Sequence, residues 1–237
     1  NVVNLQISND ADITKVYDLT TGPKMLETGV TVKGAGGKTI EWYLDGVMLD
    51  FVKAEDEVVE IEGYRPKSIE LANLQQGRHS LQVRAFVTVN GDKFYTPTLY
   101  RDIIVYTGVN TDTILAMQME IPSKYGVVTE APILYGITQY IPYTLKVASY
   151  SPTNRDIVPV AVALDDEALG SVNSKNGILN EFSIISKNVG SKTLTLTAED
   201  AAYEIPMVID ATSMAIEEIT TGLKLDFTAV GMNDDSW

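Results

Sequence analysis

Few residues in this chain have the types that carry chemistry. There is one histidine, His79, and no cysteine, against 32 aspartates and glutamates. Thiolate nucleophiles, disulfides and thiolate zinc sites are thereby excluded, and a single imidazole leaves almost nothing for a histidine metal centre. His79 would be the only imidazole base, but no Gly-x-Ser-x-Gly elbow accompanies it. It precedes Leu81 by two residues, so it shares that face at the start of a strand, in a packing or edge-capping role. The segment GAGGKT, residues 34–39, ends as a phosphate-binding loop ends. Such a loop also needs a glycine five places before its last one, where this chain has Val32, and a helix after it, where this chain reads as strand. A glycine loop between strands is the reading that fits.

Carboxylates crowd residues 55–62 and 165–167, and Asn9-Asp10-Ala11-Asp12, Asp165-Asp166-Glu167 and Asn233-Asp234-Asp235 each present oxygens of the kind calcium takes. None continues into a helix-loop-helix calcium signature, and solvated acidic faces and Asx turns account for all of them. No catalytic residue, metal ligand or cofactor is therefore expected. Between Tyr125 and Tyr150 the composition shifts toward tyrosine, with Tyr135, Tyr140 and Tyr143 inside the interval. A tyrosine is apolar at one end and hydrogen-bonding at the other, which suits stacking on a sugar or anchoring an interface, although it is also an ordinary strand residue. Tyr135, Tyr140 and Tyr143 are the candidate residues for contacting a ligand or partner.

The elements that would position these residues read as strands: short alternating runs broken by Gly, Asn, Asp and Pro, with no convincing long amphipathic helix. Ile40, Trp42 and Leu44 alternate with Glu41, Tyr43 and Asp45, and Asp45-Gly46 supplies the positive backbone angles of a tight hairpin before Val47 and Leu49. Leu81, Val83, Ala85 and Val87 alternate with Gln82, Arg84 and Phe86, and Asn90-Gly91 turns the chain toward Phe94 and Tyr95. Ile103, Ile104 and Val105 follow as an apolar strand.

The pattern then repeats. GRHSLQVRA at 77–85 matches GSKTLTLTA at 190–198, and IEWYLDG ending at Gly46 matches VAVALDD ending at Asp166, in the same order. Two copies of a module of about a hundred residues follow, the size of an immunoglobulin-like sandwich. The expected fold is therefore all-β. Residues 1–109 and 110–212 form tandem immunoglobulin-like β-sandwich domains, and 213–237 are a linker and the first strand of a truncated third domain. In that tail Leu223, Leu225, Phe227 and Ala229 alternate with Lys224, Asp226 and Thr228. A strand needs partners, and none follows in the sequence.

The net charge of −14 repels a phosphate backbone and an anionic membrane surface. No apolar run reaches the roughly 20 residues of a membrane-spanning helix. Neither nucleic acid nor membrane is an expected partner. The chain begins at Asn1 rather than Met, which leaves room for an upstream segment.

TTGLKLDFTAVGMNDDSW, residues 220–237, resembles the entry strand of the laminin-G-like, concanavalin-like jelly rolls in large virion proteins of phages infecting Bacteroidota, crAss-like phages among them. The resemblance rests on Leu223 and Leu225, Ala229-Val230-Gly231, Asn233-Asp234-Asp235 and Trp237. Met232 departs from the Arg and Ser that often flank the Asn in that family. In such proteins immunoglobulin-like modules often precede the lectin-like domain. The resemblance implies a virion protein of fibre, tail or capsid-decoration type, in which these modules anchor or space a distal host-glycan-binding, jelly-roll-like domain missing from this chain. The partners it implies are other virion proteins and a host surface glycan. Sandwich edges pair between chains, so a homo-oligomer is expected. The alternative is a bacterial cell-surface or periplasmic glycan-binding module using the tyrosine-rich segment. An enzyme would need two carboxyls about 5 to 10 Å apart in a cleft, and no pair here is singled out.

Overall fold

A computed structural model describes residues 6–9, 12–26, 28–34, 36–54, 60–64, 69–129, 132–137, 142–165, 170–174, 180–186 and 188–210. The tail at 213–237, Tyr140, and the acidic stretches at 55–59, 166–167 and 233–235 lie outside the described residues.

The first half carries β1 (Gln6–Asn9), β2 (Val16–Asp18), β3 (Lys24–Met25), β4 (Val30–Lys33), β5 (Lys38–Leu44), β6 (Val47–Ala54), β7 (Glu60–Tyr64), β8 (Glu70–Leu71), β9 (Gly77–Val89), β10 (Asp92–Tyr95) and β11 (Thr98–Tyr106). The second half carries β12 (Ile114–Ile121), a single 3-10 turn at Ser123–Tyr125, then β13 (Leu134–Ile137), β14 (Pro142–Ser151), β15 (Asp156–Val158), β16 (Ala161–Leu164), β17 (Gly170–Ser174), β18 (Asn180–Ser186), β19 (Gly190–Ala198) and β20 (Ala201–Asp210). The fold is all-β, as expected. Both hairpin turns form where the sequence places them. Asp45 and Gly46 have φ of 49° and 77°, and Asn90 and Gly91 have φ of 53° and 92°, the paired left-handed angles that match the twist of the flanking strands.

Each half is a sandwich with its own core. In the first, β1-β4-β7 faces β6-β5-β9-β11, and Val30 and Val32 pack on Ile40, Trp42, Leu81, Val83 and Ile103 between them. In the second, β13-β20-β19-β16 faces β17-β18-β14-β12, around Leu134, Leu194, Leu196, Ile205 and Met207 on one side and Leu115, Met117, Leu145 and Val147 on the other. The halves follow one plan. GRHSLQVRA is β9 and GSKTLTLTA is β19, each pairing antiparallel with the next long strand of its sheet, β11 or β20. That long strand in turn accepts a parallel edge strand, β2 on β11 and β13 on β20. IEWYL and AVAL, on β5 and β16, both lie against it from the other side.

The halves are not joined as beads on a string. β11 pairs antiparallel with β12, Thr98 opposite Ile121 through Arg101 opposite Gln118, so a single sheet runs β17-β18-β14-β12-β11-β9-β5-β6 through both sandwiches. The far end of β11, Ile104 to Tyr106, takes β2 instead. A third apolar cluster fills the angle between the halves, with Ile13 and Ile104 from the first and Ile114, Ala116, Ala148 and Tyr150 from the second. β12 is thus covered on both faces, which explains why ILAMQMEI is a nearly unbroken apolar run.

Alternation alone would send Glu41 and Tyr43 of β5 to water, opposite Ile40 and Trp42. The structure buries both, at 7% and 8% exposure, because the second sandwich and the 122–129 connection lie over that face.

Candidate functional site

The polar side chains of the chain converge on this covered face. Strand alternation puts Glu41 and Tyr43 of β5, Arg78, Ser80, Gln82 and Arg84 of β9, and Tyr100 and Asp102 of β11 on the side away from the first core. The second half supplies their lids. Gln82 grips the backbone of Val128 twice, its Nε2 donating to the carbonyl at 2.7 Å and its Oε1 accepting the amide at 2.9 Å. The Thr98 hydroxyl donates to the Gly126 carbonyl at 2.9 Å.

Two networks lie on the face. In the first, Arg84 Nε donates to Glu41 Oε2 at 2.8 Å, the Tyr43 hydroxyl donates to the same oxygen at 2.8 Å, and Arg84 Nη2 reaches the Tyr43 oxygen at 3.3 Å. The Arg84 guanidinium also lies 4.0 Å from the Tyr95 ring centroid, and Tyr95 in turn packs on Phe86 at 5.0 Å. A planar cation can do both at once, donating along its edge and stacking through its face.

The second network spans the two halves. The Tyr100 hydroxyl donates to Asp102 Oδ1 at 2.6 Å, and the amide of Met117, on β12, donates to Oδ2 at 3.0 Å. Tyr203 of β20 hydrogen-bonds Tyr100 and Arg78, and the Arg78 guanidinium lies 3.5 Å from the Tyr203 ring centroid. Burial raises the Asp102 carboxyl to about 6, against the opposing pull of its two donors and Arg78. Burial, with the Asp102 charge adding to it, pushes the Tyr203 hydroxyl up to about 12.

These arrangements bind the halves together; they do not present a reactive group. His79 has an acidic partner, Asp45, whose Oδ2 is 2.7 Å from Nδ1, as in a catalytic dyad. The other nitrogen, where a nucleophile's hydroxyl would have to sit, instead faces the Gln75 carbonyl at 2.9 Å. His79 therefore ties the β5–β6 turn to the start of β9, the edge-capping role read from its position. Lys38 of GAGGKT is buried in a strand, its ammonium on the Gly36 carbonyl at 3.2 Å; no helix N-terminus follows it to hold a phosphate. Asp12 Oδ1 accepts the amide and hydroxyl of Thr14, an Asx turn as expected. Those donors hold its carboxyl below the usual range. No cluster of three or more metal-ligating side chains occurs among the described residues. An open cleft of about 330 Å³ lies beside Pro159, Ala161, Thr197 and Glu199. Glu199 is engaged on both oxygens, by Asn154 and by Thr113.

The tyrosines singled out from sequence are not placed together by the backbone. Tyr135 is on β13, opposite Val208 of β20, and Tyr143 is on β14, opposite Ile184 of β18, in the facing sheet. Sequence reasoning passed over Arg78, Asp102 and Tyr203. A legible signal was TLYRDIIVY, in which Arg101-Asp102 interrupts an apolar strand, a placement that solvent exposure cannot explain on both faces.

No family model and no curated protein sequence matches the chain. Solved structures similar to it include domains 4 and 5 of the S-layer protein SbsC, at 11% identity over 55% of this chain and 64% of that one, with a TM-score of 0.32. Domains 1–6 of SbsC match at 12% identity over 88% and 28%, with a TM-score of 0.33. The fibronectin(III)-like modules of Clostridium thermocellum CbhA match at 11% identity over 88% and 96%, with a TM-score of 0.31. The chain thus spans less than two thirds of either SbsC structure. The sandwich assignment rests on the strand pairing and cores described above, not on these likenesses.

Proposed function

We propose that this chain is a structural, non-enzymatic protein of a phage virion, of fibre, tail or capsid-decoration type, whose paired sandwiches anchor a distal host-glycan-binding domain. The observation that carries the structural part is the burial of the outer face of β5-β9-β11 beneath the second half, with Glu41, Arg84 and Asp102 all engaged there. Side chains spent on holding two sandwiches in one arrangement suit a mount better than a flexible stalk, and they leave no assembled acid, base or nucleophile on that face. The virion part is supported by the tail at 220–237, with its Leu-alternating strand, Asn-rich stretch and Trp237. Other virion proteins and further copies of the chain are the partners this reading requires, and the glycan contact belongs to the distal domain.

Peptide mass spectrometry and immunogold labelling of purified virions test it. The chain is expected at stoichiometric level in particles, at a fixed position on them. Its absence from virions together with its presence in a bacterial envelope fraction would replace this reading with the cell-surface one.

A further inference from the structure

We propose that the contact between the two halves is proton-linked: they hold each other more tightly at pH 5 than at pH 7, and Asp102 is the group that takes up the proton. The ladder between β11 and β12 ends with Arg101 opposite Gln118. The next rung would join Asp102 to Met117, and there the carboxylate replaces the backbone carbonyl as acceptor of the Met117 amide. The last bond of the seam between the halves is therefore made by a titratable group.

That group is 1% exposed. Its own strand contributes the Tyr100 hydroxyl, β12 the Met117 amide, β9 Arg78 and β20 Tyr203, while Asp45 and its partner His79 lie beyond, at the β5–β6 turn. Arg101 alternates to the opposite side of β11. Asp102 has no ion-pair partner among the described residues; Arg78 spends its guanidinium on the Tyr203 ring. Two neutral donors do not replace the hydration of a buried carboxylate, so the neutral acid is favoured and the carboxyl stands at about 6 against 3.8 when exposed. Protonation costs no hydrogen bond. Oδ2 still accepts from Met117, and the new O–H on Oδ1 donates to Tyr100, whose own hydrogen turns toward Tyr203.

The sign follows from a carboxyl that is raised in the closed state. Its contribution is fully present below the open-state value of 3.8 and is lost as the pH rises through about 6. Between pH 7 and pH 5 the ratio of closed to open junction should rise about tenfold.

Amide hydrogen exchange at Met117, measured by NMR on the full chain and corrected for intrinsic exchange, reads this directly. Protection is expected to be about tenfold greater at pH 5 than at pH 7 in the wild type and to change less than twofold in Asp102→Asn, which carries the neutral shape at both pH values. Wild-type protection that is unchanged or lower at pH 5, or the same rise in Asp102→Asn, would overturn the proposal. If Asp102→Asn does not fold, the ¹³C shift of the wild-type Asp102 carboxyl decides: a midpoint at or above about pH 5 supports the linkage, and one below it refutes it.

Discussion

Arg84 shows how much one side chain of the covered face carries. It neutralises Glu41, fixes Tyr43 through that shared oxygen and stacks on Tyr95. Arg84→Ala would leave Glu41 9% exposed at the side chain and without its cation, and losing one partner of a buried pair costs about 3 to 5 kcal/mol. A fall in the urea midpoint of that size is expected, with Arg84→Lys intermediate because an ammonium keeps the charge but neither the fork nor the flat stacking face. Equal stability of wild type and Arg84→Ala would mean the pair contributes nothing. Burial and the hydrogen bond to Glu41 hold the Tyr43 hydroxyl above its ordinary range. At this scale the sequence misleads. Glu41, Arg84 and Asp102 have the types of surface residues, and nothing within a few positions of each says that a second sandwich will cover it.

Among the elements, the two hairpin turns are alike in sequence and unlike in surroundings. Gly46 and Gly91 both sit at left-handed angles, so alanine costs each of them about 1 to 2 kcal/mol in backbone strain. A Cβ on Gly91 would meet open space, whereas one on Gly46 would lie 3.0 Å from Thr129 Cγ2 and 3.1 Å from the Thr129 Cα. Thermal denaturation should therefore show Gly46→Ala losing more than Gly91→Ala, with the excess abolished in a Thr129→Gly background. The turns themselves were legible, because Asp-Gly and Asn-Gly between alternating runs impose their angles locally. The correspondence of β9 with β19, and of β5 with β16, was equally legible as a repeat, because equivalent strands face equivalent cores. The pairing of β11 with β12 was not, since strands carry no local mark of which edge they will meet.

For the whole molecule, the consequence of that pairing is cooperativity. A continuous sheet, the shared cluster around Ile13, Ile104 and Tyr150, and the Asp102 network couple the halves, so the chain should unfold in one transition. Trp42 lies in the first core. In a Trp237→Phe background its emission and far-ultraviolet circular dichroism should give coincident urea curves. Ile104→Asp places an uncompensated charge in the shared cluster, and the curves are expected to separate as the halves unfold independently; separate curves in the parent protein would contradict the coupling. The same coupling makes the pair a broad mount, the geometry on which the proposed anchoring role depends.

What the sequence determined by itself is what short-range physics dictates. Period-two apolar patterning sets the strands and their inner faces, Asp-Gly and Asn-Gly set the hairpins, and the lack of cysteine, with a single histidine, removes whole classes of chemistry. Only the tertiary structure decided which outer faces stay wet. It laid the second sandwich over the first, turned Asp102 into the last bond of their seam, and distributed Tyr135 and Tyr143 to opposite sheets. The reason is that burial and pKa depend on what approaches from far along the chain, and a one-dimensional pattern records a residue's own preference but not its distant neighbours.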